Sequence, residues 1–137
     1  MLTMSKDQMP VAKEQDVILL RNRVREVAAK IGMSTLIQTK LITAASELVR
    51  NMLKYAGGGQ VLLETISQGI QIGIRITFRD EGPGIADPQL AMRDGFSTGK
   101  SLGIGLPGAK RLVNEFELKS QPGQGTTVII ICWKNGR

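Results

Sequence analysis

Two apolar runs, QVLLETIS at 60–67 and IQIGIRITF at 70–78, are separated only by Gln68 and Gly69. A gap that short closes a hairpin and leaves no room for the crossover that parallel strands require. A second pair of strand-like runs, FELKS at 116–120 and TTVIIICWK at 126–134, again flanks a turn, QPGQG. The last run is apolar on both faces, which suits a central strand. Helical spacing appears before and between these hairpins. Val17, Leu20, Val24, Val27, Ala28 and Ile31 mark a first helix over 14–31, with Gly32 as its end cap. Ile37, Leu41, Ala44, Ala45, Leu48 and Met52 mark a second over 35–55, which the glycines at 57–59 stop. A third is expected over 106–115, turning Leu112, Val113 and Phe116 to the core. Hairpins adjacent in sequence, with helices set apart from them, predict an α+β fold: a two-layer sandwich of a mixed, mostly antiparallel sheet with helices on one face.

The chain of 137 residues, 42% hydrophobic, has the size and apolar content of one domain spanning 1–137, with residues 1–9 expected to be flexible. Asp87-Pro88 is a cap followed by a first-turn proline for a short helix through Arg93, and the polar, glycine-rich residues 94–105 read as a mobile loop. No apolar stretch approaches the roughly 20 residues of a membrane helix. The first ten residues, MLTMSKDQMP, lack the apolar centre of a secretion signal. A cytoplasmic protein without membrane contact is expected.

The chain contains no histidine, which removes histidine-based triads, histidine metal clusters and histidine autophosphorylation. Cys132 is the only cysteine, so no intrachain disulfide can form. Chemistry must run on carboxylates, amides, hydroxyls and cations. Net charge is +6, but the basic residues are scattered and only five aromatics are available for stacking. Direct nucleic-acid binding is therefore not expected; the charge suits acidic partner surfaces.

RDEGPGI at 79–85 follows the second strand. Strand side chains alternate between faces, so Asp80 shares a face with Ile70, Ile72, Ile74, Ile76 and Phe78. A carboxylate aimed with the core is costly unless something donates to it. It could accept from an exocyclic amine, with Gly82 and Gly84 allowing a flat ring close to the backbone; a simple turn with a solvated aspartate is the plainer alternative. On the second helix, Glu47, Asn51 and Lys54 stand at i, i+4 and i+7, on one face and opposite much of the apolar stripe. They could be a solvated polar face, or they could activate a hydroxyl, hold Mg²⁺ and meet phosphate oxygens. GFSTGKS lacks the first glycine of a P-loop, since Asp94 occupies that position. GIGLPG at 103–108 fits the dinucleotide pattern but has no strand before it and no acidic residue at the required distance.

The order of these pieces is more specific than any one of them: E-x-x-x-N-x-x-K on a helix, D-x-G-x-G after a strand, a glycine-rich loop with G-x-G, then G-T-T entering a strand. It resembles the Bergerat ATP-binding fold of the GHKL superfamily, which includes gyrase, Hsp90, histidine kinases and MutL. SELVRNMLKYAGGGQV, DEGPGI, DGFSTGKSLGIGLPGAKRLVNEFEL and SQPGQGTTV are similar to the RsbT-like switch serine/threonine kinases of bacterial stress-response partner-switching (stressosome) modules. DGFST and GLPG set the chain apart from the anti-sigma-factor kinases.

The resemblance implies ATP and Mg²⁺ as cofactors. Asp80 would accept from the adenine amino group, with Gly82 and Gly84 beside the ring and Thr126 adding a polar contact. Asn51 would ligate Mg²⁺, Lys54 would meet a phosphate, and Lys100, Ser101 and the amides of Gly103 and Gly105 would complete the nucleotide contacts. Glu47 would be the catalytic base. The implied substrates are STAS-domain antagonist and scaffold proteins, and the implied second partner is a PP2C-type phosphatase that the released kinase activates. The competing expectations are an anti-sigma factor with serine kinase activity and a catalytically silent nucleotide-gated binder.

Overall fold

The computed structural model describes residues 1–84, 92 and 105–137. The expected short helix over 87–93 and the loop over 94–105, together with Lys100, Ser101 and Gly103, therefore lie outside the described residues, apart from Met92 and Gly105. Among the described residues the elements are β1 (Leu2–Val11), α1 (Glu14–Lys30), α2 (Thr35–Ala56), β2 (Gly59–Gln68), β3 (Gln71–Asp80), α3 (Gly105–Arg111), β4 (Glu115–Ser120) and β5 (Thr126–Trp133). The strands make one sheet in the order β1-β2-β3-β5-β4. Every neighbouring pair is antiparallel, so the sheet is less mixed than the sequence suggested.

Alternation along the strands sorts the layers. Val61, Leu63, Ile74, Ile76, Phe78, Val128, Ile130 and Cys132 share one core with Val17, Leu20, Val24, Leu41, Leu48 and Met52 of the first two helices. The core lies between that sheet face and the helices. Gly57 ends α2 in the left-handed conformation, φ 75°, with its N–H on the Leu53 carbonyl. Ser34 begins the same helix by accepting from the Ile37 N–H at 3.3 Å.

Three sequence expectations change. Residues 1–9, expected to be flexible, form most of β1, which pairs with β2 from Leu2↔Ser67 to Val11↔Gly59 across an irregularity between Thr3 and Ser5. An edge strand needs little apolar alternation because its side chains are mostly exposed. Arg23 on α1 fastens it by donating from Nε to Asp7 at 2.7 Å. Ile70 leaves the inner face for the β2–β3 turn, where it is fully exposed. The third helix ends at Arg111 rather than 115, because Asn114 is drawn onto β5: its N–H bonds the Ile131 carbonyl and its Oδ1 accepts from the Trp133 N–H at 2.8 Å.

The other sheet face carries Ile66, Ile131 and Trp133, buried together. Beside them, in register, Glu64 accepts from Arg75 Nε at 3.0 Å and Nη2 at 3.1 Å, with Thr3 Oγ1 at 3.3 Å. Glu64 is 4% exposed. The Arg75 hydrogen bonds hold its carboxyl below the usual glutamate range. Removing one partner of such a pair strands the other charge. Arg75→Ala is expected to lose about 2–3 kcal/mol in urea unfolding, below the fully buried range because the arginine retains some solvent contact. A carboxyl held low contributes stability that is complete above its unfolded value, about pH 4.3, and lost as pH falls through its folded value. Glu64→Gln should accordingly flatten the acid limb of the stability curve.

Candidate active site

The edge of the core where β3 ends is organised around Asp80. It is the last residue of β3 and pairs with Thr126, the first of β5. Its Oδ1 accepts from the Gly82 N–H at 2.9 Å and from the Thr126 N–H at 3.2 Å. The carboxylate that looked costly in the sequence is thus held by two backbone donors on one oxygen. Both described bonds fall on Oδ1, so Oδ2 is the oxygen with capacity for a ligand donor. Thr126 Oγ1 lies 2.9 Å from Ser120 Oγ, which also donates to the Gly125 carbonyl. Its hydroxyl belongs to a small polar cluster beside Asp80.

The glycines of DEGPG have a use that the sequence did not reveal. A Cβ on Gly82 would lie 2.5 Å from the Ala56 methyl, and one on Gly84 would lie 2.1 Å from the Gln121 carbonyl oxygen. The room left by the missing side chains at those points is filled by the protein itself. It lets the loop close against the end of α2 on one side and against the β4–β5 turn on the other. The Gly123 N–H adds a 2.7 Å bond to the Pro83 carbonyl. Ala56, Pro83 and Gly123 therefore fix the loop, and none carries a chemical signal in the sequence.

Since α2 runs unbroken from Thr35 to Ala56, the Glu47, Asn51 and Lys54 spacing is realised as one helical face. Burial along that face is graded. Glu47 is 7% exposed, Asn51 is intermediate and Lys54 is exposed, its ammonium 5.2 Å from the Tyr55 ring centroid. The sequence placed this face largely opposite the apolar stripe, but α3 packs across α2 with Ala109 completely buried, and Glu47 is covered. Its Oε1 accepts from the Gly105 N–H at 2.9 Å. A bond between residues so far apart in sequence had no local signal.

Gly82 against Ala56 sets the Asp80 loop at the end of the helix that carries Asn51 and Lys54. Two carboxylates, an amide oxygen and an ammonium thus occupy two adjoining elements. Among the described residues no group of three or more His, Cys, Asp or Glu could hold a metal ion. That donor set fits Mg²⁺ only in its nucleotide-bound manner, in which one protein oxygen such as Asn51 Oδ1 joins phosphate oxygens and water.

Known proteins share the family and the fold. A family model described as histidine kinase-, DNA gyrase B-, and HSP90-like ATPase matches residues 37–136. The chain is 44% identical over 123 residues to serine/threonine-protein kinase RsbT of Bacillus subtilis (strain 168), covering 90% of this chain and 92% of that relative. It is 31% identical over 123 residues to the anti-sigma F factor of Thermoanaerobacter sp. (strain X514), covering 86% and 85%. Two solved structures share the fold at 19% identity. The crystal structure of the RsbU and RsbW domains of Rv1364c from Mycobacterium tuberculosis has a TM-score of 0.62 over 93% of this chain and 32% of that one, so this chain spans about a third of that polypeptide. The mycobacterial sensor histidine kinase MprB has a TM-score of 0.56 over 97% and 100%.

Proposed function

The chain belongs to the histidine kinase-, DNA gyrase B- and HSP90-like ATPase family, and within it we infer a partner-switching serine/threonine-protein kinase that uses ATP. The observation that carries the reading is Asp80, fixed through Oδ1 by two amides beside an α2 face that bears Glu47, Asn51 and Lys54. The 44% identity to RsbT assigns the acceptor class, a protein serine or threonine.

The roles rest on the family resemblance and, for the described residues, on position and chemistry as well. Asp80 Oδ2 accepts from the adenine amino group, and Thr126 supports the carboxylate through its N–H. Asn51 would hold Mg²⁺ through its amide oxygen, and the metal would supply charge neutralisation; Lys54 supplies a cation to a phosphate oxygen. Lys100, Ser101 and the Gly103 and Gly105 amides complete the phosphate contacts. The acceptor hydroxyl oxygen bonds to the γ-phosphorus as the bond to the β,γ-bridging oxygen breaks, ADP leaves, and Glu47 takes the hydroxyl proton. Gly82 and Gly84 hold the loop so that the base has a surface to lie on.

The whole chain acts as one domain in the cytoplasm; among the described residues no helix is long and apolar enough to cross a membrane. Its substrates are STAS-domain antagonist and scaffold proteins, and on release it binds and activates a PP2C-type phosphatase. Incubation with γ-labelled ATP, Mg²⁺ and STAS proteins encoded nearby should transfer label to serine or threonine, and Glu47→Gln should slow transfer by about 10²-fold or more. Nucleotide binding with no transfer to any STAS protein would reduce the protein to a binding module. The 31% identity to an anti-sigma F factor supports a second reading, direct capture of a sigma factor. Co-elution with a sigma factor in the same reaction would establish it.

A further inference from the structure

The bond between Glu47 and Gly105 joins two residues to which the kinase reading gives separate duties. Glu47 is the base, and the Gly105 N–H is one of the phosphate donors. In the structure that N–H already donates to Glu47 Oε1 at 2.9 Å. Gly105, at φ 68°, is the first residue of α3, which packs on α2 with Ala109 completely buried. Glu47, at 7% exposure, has little water to replace a lost donor.

One N–H makes one strong hydrogen bond, and a carboxylate and a phosphate oxygen are acceptors of similar, charge-assisted strength. We propose that the Gly105 N–H is a shared donor that positions Glu47: it holds Oε1 until a nucleotide phosphate oxygen takes the bond, and Glu47 is then released toward the acceptor hydroxyl. The inference rests on the kinase reading. It gives a consequence that the reading alone does not, namely that the base opposes nucleotide binding. Proton abstraction is coupled to occupancy by ATP, so a protein hydroxyl that arrives before the nucleotide meets a carboxylate held toward Gly105 rather than toward the hydroxyl.

Two measurements on the full chain test it. In ¹⁵N,¹³C-labelled parent protein, scalar coupling between the Gly105 nitrogen and Glu47 Cδ should be present without nucleotide and disappear with saturating ADP. Coupling that persists in the ADP complex overturns the proposal, and this measurement needs no variant to fold. In calorimetry, Glu47→Ala should bind ADP about threefold to tenfold more tightly than Glu47→Gln, the size of one net hydrogen bond. Both variants lack the charge, but only glutamine keeps an acceptor for Gly105. Equal affinities would mean that charge alone opposes the phosphates and would overturn the shared donor while leaving the kinase reading intact. Failure of the parent protein to bind ADP would overturn both.

Discussion

Asp80→Asn is expected to weaken ATP binding by about 2–3 kcal/mol, roughly 30- to 150-fold, while leaving the fold in place. The substitution separates the two oxygens of this side chain. An asparagine carbonyl can take over from Oδ1, accepting from the Gly82 and Thr126 amides as the carboxylate does. The β3–β5 pairing at Asp80↔Thr126 then survives. At the second position an NH₂ group replaces an acceptor oxygen, so that two donors face each other where the adenine amino group should bind. The mismatch predicts a change in preference as well as a loss. A purine with a carbonyl oxygen in place of that amine presents an acceptor to the new donor. Asp80→Asn should therefore bind ITP more tightly than ATP, the reverse of the parent. Calorimetry with both nucleotides checks this, with a thermal melt to show that folding is unaffected. Parental ATP affinity in Asp80→Asn would remove Asp80 as the base reader.

The strand phase that made Asp80 conspicuous was visible in the sequence because burial of one sheet face forces alternation over Ile72, Ile74, Ile76 and Phe78. The same pressure exposed α1 and α2, whose apolar stripes and glycine stops are local signals: α2 was expected over 35–55 and spans Thr35–Ala56. What stayed hidden depends on contacts between distant segments. β1 is held by a backbone ladder to β2 and by Arg23, and neither leaves a pattern in LTMSKDQMPV. The length of α3 was misjudged because a long-range tie competes with helix continuation at Asn114. At the site, residue types and spacing pointed to Asp80, Glu47 and Asn51, but the positions that hold them could not be read. Ala56 matters through a methyl that fits only against a glycine, and Gly105 through a backbone N–H that every residue but proline possesses.

Asn51→Ala should lower phosphoryl transfer by about 10³-fold, at least as far as Glu47→Gln, because positioning and charge neutralisation supply most of the acceleration in this chemistry. General-base removal is worth about 10²–10⁴-fold, and the intrinsic reactivity of a protein hydroxyl toward a well-aligned phosphorus limits how much Glu47 can add. On the proposed reading Asn51 acts on the nucleotide itself. It stands one turn after Glu47 on an unbroken helix, partly exposed, and no cluster of acidic ligands among the described residues could replace it. The loss should be confined to the metal-dependent part of binding. In the parent, Mg²⁺ should tighten ATP binding; in Asn51→Ala, affinities with Mg²⁺ and with EDTA should agree within about threefold, a difference under 1 kcal/mol. Alanine also has the higher helix propensity, by up to about 0.7 kcal/mol at an exposed site. The variant should melt no lower than the parent, so a drop in transfer cannot be assigned to unfolding. Parental transfer rates, or an undiminished response to Mg²⁺, would move the metal role away from Asn51 and leave Glu47 and Lys54 as the α2 groups acting in the transfer.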